Sequence, residues 1–526
     1  MNDKVPGHLG LVEWFRVGEH DRVESALAEM RRMGISRLRT GISWADWLSP
    51  GGEGWYEWLL PRLAAEVELL PCFLYTPPSL AIEAKTSSPP VHAKDFADFL
   101  DVFITRFGDH FEWIELWNEP NNVAEWDRAL DPHWERFGEM VGGAAYWCRQ
   151  RGKKTLLGGM SPVDPHWLCR MFELGVMQYI DAVGIHGFPD TFDYSWKGWR
   201  RNIELVREVL DRHGSPAEIW VTEAGFSTWQ HDEMRQIDEF MDFLEAPAAR
   251  IYWYGLDDLD QALPAVDRFH LDDREYHFGL RRVDGTRKLL CRLLGDSGCT
   301  GLAAFSAGVR AGVPRAPAAS PAERPVLLTG GAGFIGTNLA DRLLTSGDRV
   351  MIYDNLSRPG VEKNLRWLQE KHGDKVSVVV GDTRNARALR EAVSEAREVF
   401  HFAAQVAVTS SLVNPLLDFE MNARGTMNLL EAIRAQDNPP PLIFTSTNKV
   451  YGGLEDIPLR RKRTRYEPED PVLRGTGINE ERQLDFHSPY GCSKGAADQY
   501  VVDYARTFGL PMAVFRMSCI YGPHQF

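Results

Sequence analysis

Two glutamates in this sequence are placed and flanked as reacting groups. Glu119 closes the run Trp117-Asn118-Glu119-Pro120, and Glu223 closes Thr222-Glu223-Ala224-Gly225. A pair of carboxyls about 5–5.5 Å apart can split a glycosidic bond with retention. One keeps a proton for the leaving group, and the other, ionised, attacks the anomeric carbon. Their closeness pushes one pKa up at the expense of the other, which separates the roles. A different set lies far downstream. The glycines Gly330, Gly333 and Gly336 of GGAGFIG follow the apolar run Pro325–Thr329 and open the helical stretch TNLADRLLTSG. They permit a tight turn, close backbone approach to a pyrophosphate, and packing of helix on strand, with the phosphates at the helix N-terminus. Asp354 ends the next strand run, DRVMIYD, about 20 residues on, where a carboxylate grips ribose hydroxyls. It would repel a 2′-phosphate, so the expected cofactor is NAD; Arg358 nearby keeps NADP open. Tyr490 and Lys494 stand one helical turn apart in SPYGCSK, downstream of Thr447. In that order Lys494 is expected to lower the Tyr490 phenol toward neutrality and hold a ribose. Thr447 would bond the reacting hydroxyl, and Tyr490 would take its proton as hydride leaves.

These residues need two different frames. The first half repeats a unit of about 30–40 residues, an apolar run followed by helical spacing of apolar positions. The runs are LGLVE, SRLRTGISW (36–44), VELLPCFLYTPP (67–78), FEWIELWNEP (111–120), KTLLGGMSP (154–162), IDAVGIHGFP (180–189), AEIWVTEAGFS (217–227) and ARIYWYGLDD (249–258). Eight such units predict a (β/α)8 TIM barrel over residues 1–305, with its site at the C-terminal strand ends. A doubly wound open sheet there would need an early glycine turn, and the first half has none. Ser306 to Pro325, with Pro314, Pro317, Pro321 and Pro325, predicts an extended linker over 306–324. Residues 325–526 then alternate strand and helix as a Rossmann-type, doubly wound parallel α/β sheet. Of the 17 tryptophans only Trp367 lies beyond the linker. Indole faces are platforms for sugar rings, and a tryptophan-rich core is the alternative use.

The Asn-Glu-Pro segment and the strand-seven glutamate resemble the clan of retaining barrel glycosidases, over about residues 8–300. The resemblance implies Glu119 as acid/base, Glu223 as nucleophile and Asn118 as partner of the sugar's 2-hydroxyl. It implies Arg39 as support for the nucleophile, and His186 and Trp253 as sugar contacts. The clan often has Tyr two residues after the strand-six His; here that position is Phe188, which loosens the hold on Glu223. A barrel that binds glycans without turning them over is the alternative.

The downstream set, from TGGAGFIG through HFAA and the Ser-Thr pair to YxxxK and Arg516-Met-Ser-Cys-Ile-Tyr521-Gly-Pro, resembles the extended short-chain dehydrogenases that act on nucleotide sugars. That resemblance implies a cofactor cradle that adds Phe334, Ile335, Asn355, Asp382, Ala403 and Ala404. Sugar 4,6-dehydratases of this kind carry Asp-Glu directly after the threonine, and here those positions are Asn448 and Lys449. Epimerisation needs no such pair, so the implied activity is that of an NAD-dependent epimerase. The 2-epimerases of CDP-sugars are the nearest kind, UDP-sugar 4-epimerases the runner-up and dehydratases a further alternative. Such enzymes continue past Tyr-Gly-Pro into a substrate lobe, whereas this sequence stops at Phe526. The expectation is therefore NAD binding with weak or absent epimerase turnover, and a non-catalytic NAD scaffold is the third reading. The resemblance also implies a homodimer through helices of the cofactor domain.

Composition sets the outer bounds. A net charge of -15 argues against nucleic acid as a partner. Seven scattered cysteines without a CxxC pair predict neither a disulfide frame nor a metal site. There is no secretion-signal pattern at the start, and no apolar run is long enough to span a bilayer. The expected location is cytoplasmic, with a CDP- or UDP-sugar for one half and a glycan or glycoside for the other. The stretch ALREAVSEAREV reads as a solvated helix face, and the charge run LRRKRTRYEPED as a surface loop.

Overall fold

The computed structural model describes residues 5–193, 195–262, 272–311 and 324–525. The chain divides between Ser306 and Ala307 into two compact units, residues 230–233 grouping with the second.

In the first unit every predicted run is a strand: β1 (Leu9–Val12), β2 (Arg37–Ser43), β3 (Glu68–Leu74), β4 (Trp113–Leu116), β5 (Lys154–Met160), β6 (Ala182–Gly187), β7 (Glu218–Ala224) and β8 (Ile251–Tyr254). All pair in parallel, and β8 returns to β1 with Leu9 opposite Ile251, so the sheet closes into a barrel. Helices connect the strands and cover them. Lys94–Phe107, for example, buries Phe96, Phe99, Leu100, Phe103 and Phe107 at helical spacing. Strands buried on both faces read as continuous apolar runs, which is why the pattern was visible in the sequence. Alternation along each strand sorts the side chains. Val12, Leu70, Trp113, Leu156, Trp220 and Tyr252 meet in the barrel interior. The tryptophans are mainly packing: Trp44, Trp47, Trp113, Trp117, Trp126, Trp220 and Trp253 are all buried.

The second unit carries β9 (Val326–Thr329), β10 (Val350–Asp354), β11 (Val376–Val380), β12 (Glu398–His401), β13 (Leu442–Thr447), the short strands β14 (Leu459–Arg461) and β15 (Tyr466–Pro468), and β16 (Met512–Met517). Six of them form a parallel sheet in the order β11-β10-β9-β12-β13-β16. The order reverses between β9 and β12, and the crevice outside the C-terminal strand ends at such a switch point is where ligands sit in open α/β sheets. The sequence reading missed β16. It is an edge strand whose Phe515 and Met517 stay exposed, so it carries no buried-strand signature.

Three expectations are corrected. Helix Leu289–Ala311, interrupted at Gly298, runs into the predicted linker, because SAGVRA is rich in small residues and free of proline; residues 312–323 lie outside the described residues. The charge run is not a plain loop, since β14 and β15 pair there as antiparallel strands at the surface. The ALREAV stretch is helix Ala386–Ser394 with Leu389, Ala392 and Val393 buried, so one face is core and not solvated. Among the described residues no helix is long and apolar enough to cross a membrane.

Candidate functional site

In the barrel, β2, β4, β6 and β7 deliver their polar residues to one end. Arg39, fully buried on β2, is the hub. Its Nη1 donates to Glu223, its Nε to Glu115, and its Nη2 to Asn118 Oδ1 at 2.8 Å. Trp14 lies under the guanidinium with its ring centroid 5.4 Å away. Glu119 accepts from Asn122 Nδ2 at 2.7 Å and meets His186 Nδ1 at 2.8 Å. His186 Nε2 is 3.0 Å from Thr222 Oγ1. Glu119, His186 and Glu223 each offer a polar atom within 4.8 Å of the others. That bound is compatible with the ~5–5.5 Å of a retaining pair and leaves the two carboxyls closer than the ~6.5–9.5 Å of an inverting pair.

Electrostatics separates the two acids. Burial pushes both Glu119 and Glu223 above the ordinary carboxylate range. Of the two, only Glu223 is hydrogen-bonded by Arg39, which favours its ionised form, while Glu119 feels the guanidinium only at a distance. Burial drops His186 to about 4, leaving the ring neutral between Glu119 and Thr222. Glu119 itself sits at φ 36° and Trp117 at φ 73°, left-handed backbone that side-chain-bearing residues adopt at a cost and that is found at functional sites.

Trp253 is not where the resemblance puts it. It faces outward, its ring 5.1 Å from Phe240 and 5.4 Å from Phe243 of helix Glu233–Leu244, because strand alternation turns Tyr252 and Tyr254 inward instead. Tyr254 was missed. It lies against Phe188, ring centroids 6.1 Å apart, and near enough to Glu223 for that charge to raise its phenol further after burial. Tyr75, at φ 67° after β3, and Glu125, on the loop after Glu119, face the same acids and were also missed. A charged Glu115 inside the apolar run of β4 was the one sequence signal available for this network.

In the second unit the glycine turn joins β9 to helix Phe334–Thr345. Gly330 has φ 69°, and a Cβ there would stand 2.6 Å from the Ala403 backbone nitrogen. A Cβ on Gly336 would stand 2.5 Å from the Gly330 carbonyl oxygen. Ala403 and Ala404 thus follow β12 directly alongside the turn, and Phe334 and Ile335 form the first helical turn. The Asp354 carboxylate reaches back to accept from Ala332 N at 3.1 Å, and from Leu356 N at 2.9 Å. Asp382 is saturated, taking both Arg384 Nε and Nη2 at 2.9 Å and Asn355 Nδ2 at 2.7 Å, and Arg384 holds it well below the usual range.

Thr447, Tyr490 and Lys494 gather at the C-terminal end of β13. Thr447 lies close enough to pull the Tyr490 phenol down, yet burial outweighs it and raises the phenol. This corrects the expectation for Lys494. Its ammonium donates to the Thr445 carbonyl at 2.8 Å and lies over the Phe444 ring, 4.3 Å from the centroid, instead of acting on the phenol. Burial brings Lys494 down to about 8. Asp498, one turn on, is paired by Arg516, which also donates to Tyr451 at 2.8 Å.

Residues 327–526 match the family model described as GDP-mannose 4,6 dehydratase. The chain is 48% identical over 203 residues to CDP-paratose 2-epimerase of Salmonella typhi, covering 38% of this chain and 59% of that one. It is 32% identical over 203 residues to dTDP-glucose 4,6-dehydratase of Mycolicibacterium smegmatis, covering 38% and 54%. A solved UDP-glucose 4-epimerase of Thermus thermophilus in complex with NAD aligns at 32% identity and TM-score 0.31, covering 38% and 57%. The chain therefore spans little more than half the length of these relatives.

Proposed function

We propose that residues 325–526 form the NAD-binding part of a nucleotide-sugar epimerase that oxidises a sugar carbinol and returns hydride to its other face. The observation that supports this best is the grouping of Thr447, Tyr490 and Lys494 at the end of β13, with the glycine turn at the same C-terminal end of the parallel sheet, in a segment 48% identical to CDP-paratose 2-epimerase. Gly330 and Gly336 pack too closely on the Ala403 and Gly330 backbone to carry a Cβ, which keeps the turn tight ahead of the helix N-terminus where a pyrophosphate would sit. Asp354 stands beside that turn to take the ribose hydroxyls. NAD, when bound, accepts and returns hydride and brings a positively charged ring. Tyr490 is a weak base in its buried setting, and a cation beside it favours the phenolate. Thr447 holds the sugar hydroxyl in line while Tyr490 removes its proton, and Lys494 grips the ribose with the donors Thr445 does not use. Asn448 and Lys449, exposed after Thr447, supply no Asp-Glu pair for elimination of water. A CDP-linked sugar epimerised at C2 fits best, with a UDP-sugar 4-epimerase as the alternative. The test is a single-turnover reaction of NAD-loaded protein with each nucleotide sugar, followed by absorbance of the reduced nicotinamide. Tyr490→Phe is expected to slow reduction by about 10²–10⁴-fold while NAD affinity holds. Equal reduction in wild type and variant would remove Tyr490 from the chemistry.

For the first unit we propose a TIM barrel with retaining glycosidase chemistry, favoured by the 4.8 Å cluster of Glu119, His186 and Glu223 and by Arg39 on the nucleophile side alone. A 2-deoxy-2-fluoro glycosyl fluoride series should leave a glycosyl adduct on Glu223, located by peptide mass spectrometry. Absence of an adduct across the series, with binding still measurable, would point to a glycan-binding barrel.

A further inference from the structure

Four carboxyls meet at the barrel mouth, Glu115, Glu119, Glu125 and Glu223, with Arg39 in contact with Glu115 and Glu223 and His186 neutral. Glu115 and Glu223 share Arg39, and Glu119 has Asn122 and His186. Glu125 is different. It is 2% exposed, its Oε1 accepts from Asn118 Nδ2 at 2.9 Å, and its Oε2 has no hydrogen-bond partner. An ionised oxygen buried without a donor is strongly disfavoured. The loop that carries it is fixed by Trp117 Nε1 donating to the Glu125 carbonyl at 3.1 Å and by Glu125 N donating to Asn122 O at 3.1 Å.

Asn118 shows what this arrangement does. Its Oδ1 must accept from Arg39, because the guanidinium has only donors, and this fixes the amide orientation. One Nδ2 hydrogen then goes to Glu125, and the other is left for a ligand. We propose that Glu125 is a positioning residue: it stays protonated and, by holding one Asn118 N–H, aims the other at the sugar. This rests on the glycosidase reading for its catalytic consequence, though not for the proton or the contact. Burial is the main cause that raises the Glu125 carboxyl well above its ordinary range; negative charge on Glu119, when it is ionised, and on Glu223 adds to it, and the Asn118 hydrogen bond and Arg39 oppose it. The other groups facing it are Tyr75 and Cys72, themselves neutral because burial raises both.

The test uses infrared difference spectra of the full chain, wild type minus Glu125→Gln, between pH 5 and 8. A protonated-carboxyl carbonyl band is expected throughout, moving up in frequency in Asn118→Leu, where the donor is gone. Carboxylate bands alone, or a band indifferent to Asn118→Leu, would overturn the proposal. On an aryl glycoside, Glu125→Gln, which mimics the protonated acid, should keep kcat/KM, and Glu125→Leu should lose about 10²-fold, mostly in kcat. If Gln is as damaging as Leu in folded protein, the proposal fails. If wild type turns over no glycoside, the glycosidase reading fails instead, and the infrared band still decides the proton and its contact.

Discussion

The two halves of this chain assemble their candidate sites in opposite ways. The barrel draws Arg39, His186 and Glu223 from three strands and Glu119 from the turn after β4, all far apart in sequence, and binds them by buried polar contacts. The dinucleotide half builds its cradle from contiguous segments, a glycine turn and one helix, and its closest contacts are backbone against backbone. The barrel site should therefore break when a charge is removed, and the cradle when an atom is added.

The largest effect is expected for Arg39→Met. It leaves Glu115 and Glu223 buried beside an apolar side chain, and breaking a buried ion pair from one side typically costs about 3–5 kcal/mol. Denaturant unfolding of the first unit's transition measures it. The sign of the pH dependence follows from Glu223. Burial already raises it, and losing Arg39 raises it further. A carboxyl whose folded pKa exceeds its unfolded value holds extra protons when folded, so the variant loses stability as pH climbs from the ordinary carboxylate range to the raised value. Any glycoside turnover that survives should have its acid limb moved to higher pH, since the nucleophile must be ionised. An unmoved limb would show that Arg39 does not hold Glu223.

Gly330→Ala is the counterpart in the second unit and the next largest. A left-handed φ on a residue with a Cβ, together with 2.6 Å to the Ala403 nitrogen, must shift backbone, at about 1–3 kcal/mol. Calorimetric titration should show NAD binding lost or greatly weakened. The barrel's response to a glycosyl fluoride should be unchanged. Retained NAD affinity would mean the turn is not the pyrophosphate cradle.

The same contrast explains what the sequence disclosed. Gly330, Gly336, Tyr490 and Lys494 were legible because their spacing is their geometry: a turn and one helical step. The eight barrel strands were legible as apolar runs, and Glu119 and Glu223 because each closes one. What failed was facing and burial. Trp253 was taken for Tyr254 because a one-residue shift reverses the side a strand residue faces. Glu125 sits on a loop whose path no periodicity encodes. The influence of Lys494 on Tyr490 was overestimated because spacing on a helix does not reveal that the ammonium turns to the Thr445 carbonyl. Edge strand β16 was passed over for want of burial.

The smallest and sharpest test is the pair Trp253→Phe and Tyr254→Phe. Trp253 packs on Phe240 and Phe243 in the outer layer, so trimming the indole should lower thermal stability and leave sugar chemistry alone. Tyr254 lies close enough to Glu223 to feel its charge and packs against Phe188; on the glycosidase reading, Phe188 takes the place of a tyrosine that would hold Glu223. If the Tyr254 hydroxyl takes over that hold from β8, its loss should cost about tenfold in kcat/KM, the worth of one hydrogen bond to a charged group at the low end of ~1.5–3 kcal/mol. Stability should hardly change, and the acid limb should shift upward because a donor to the Glu223 carboxylate is gone. Should Trp253→Phe instead impair turnover while Tyr254→Phe does not, the inward and outward faces of β8 are reversed. The sugar platform would then return to the tryptophan that the sequence first suggested.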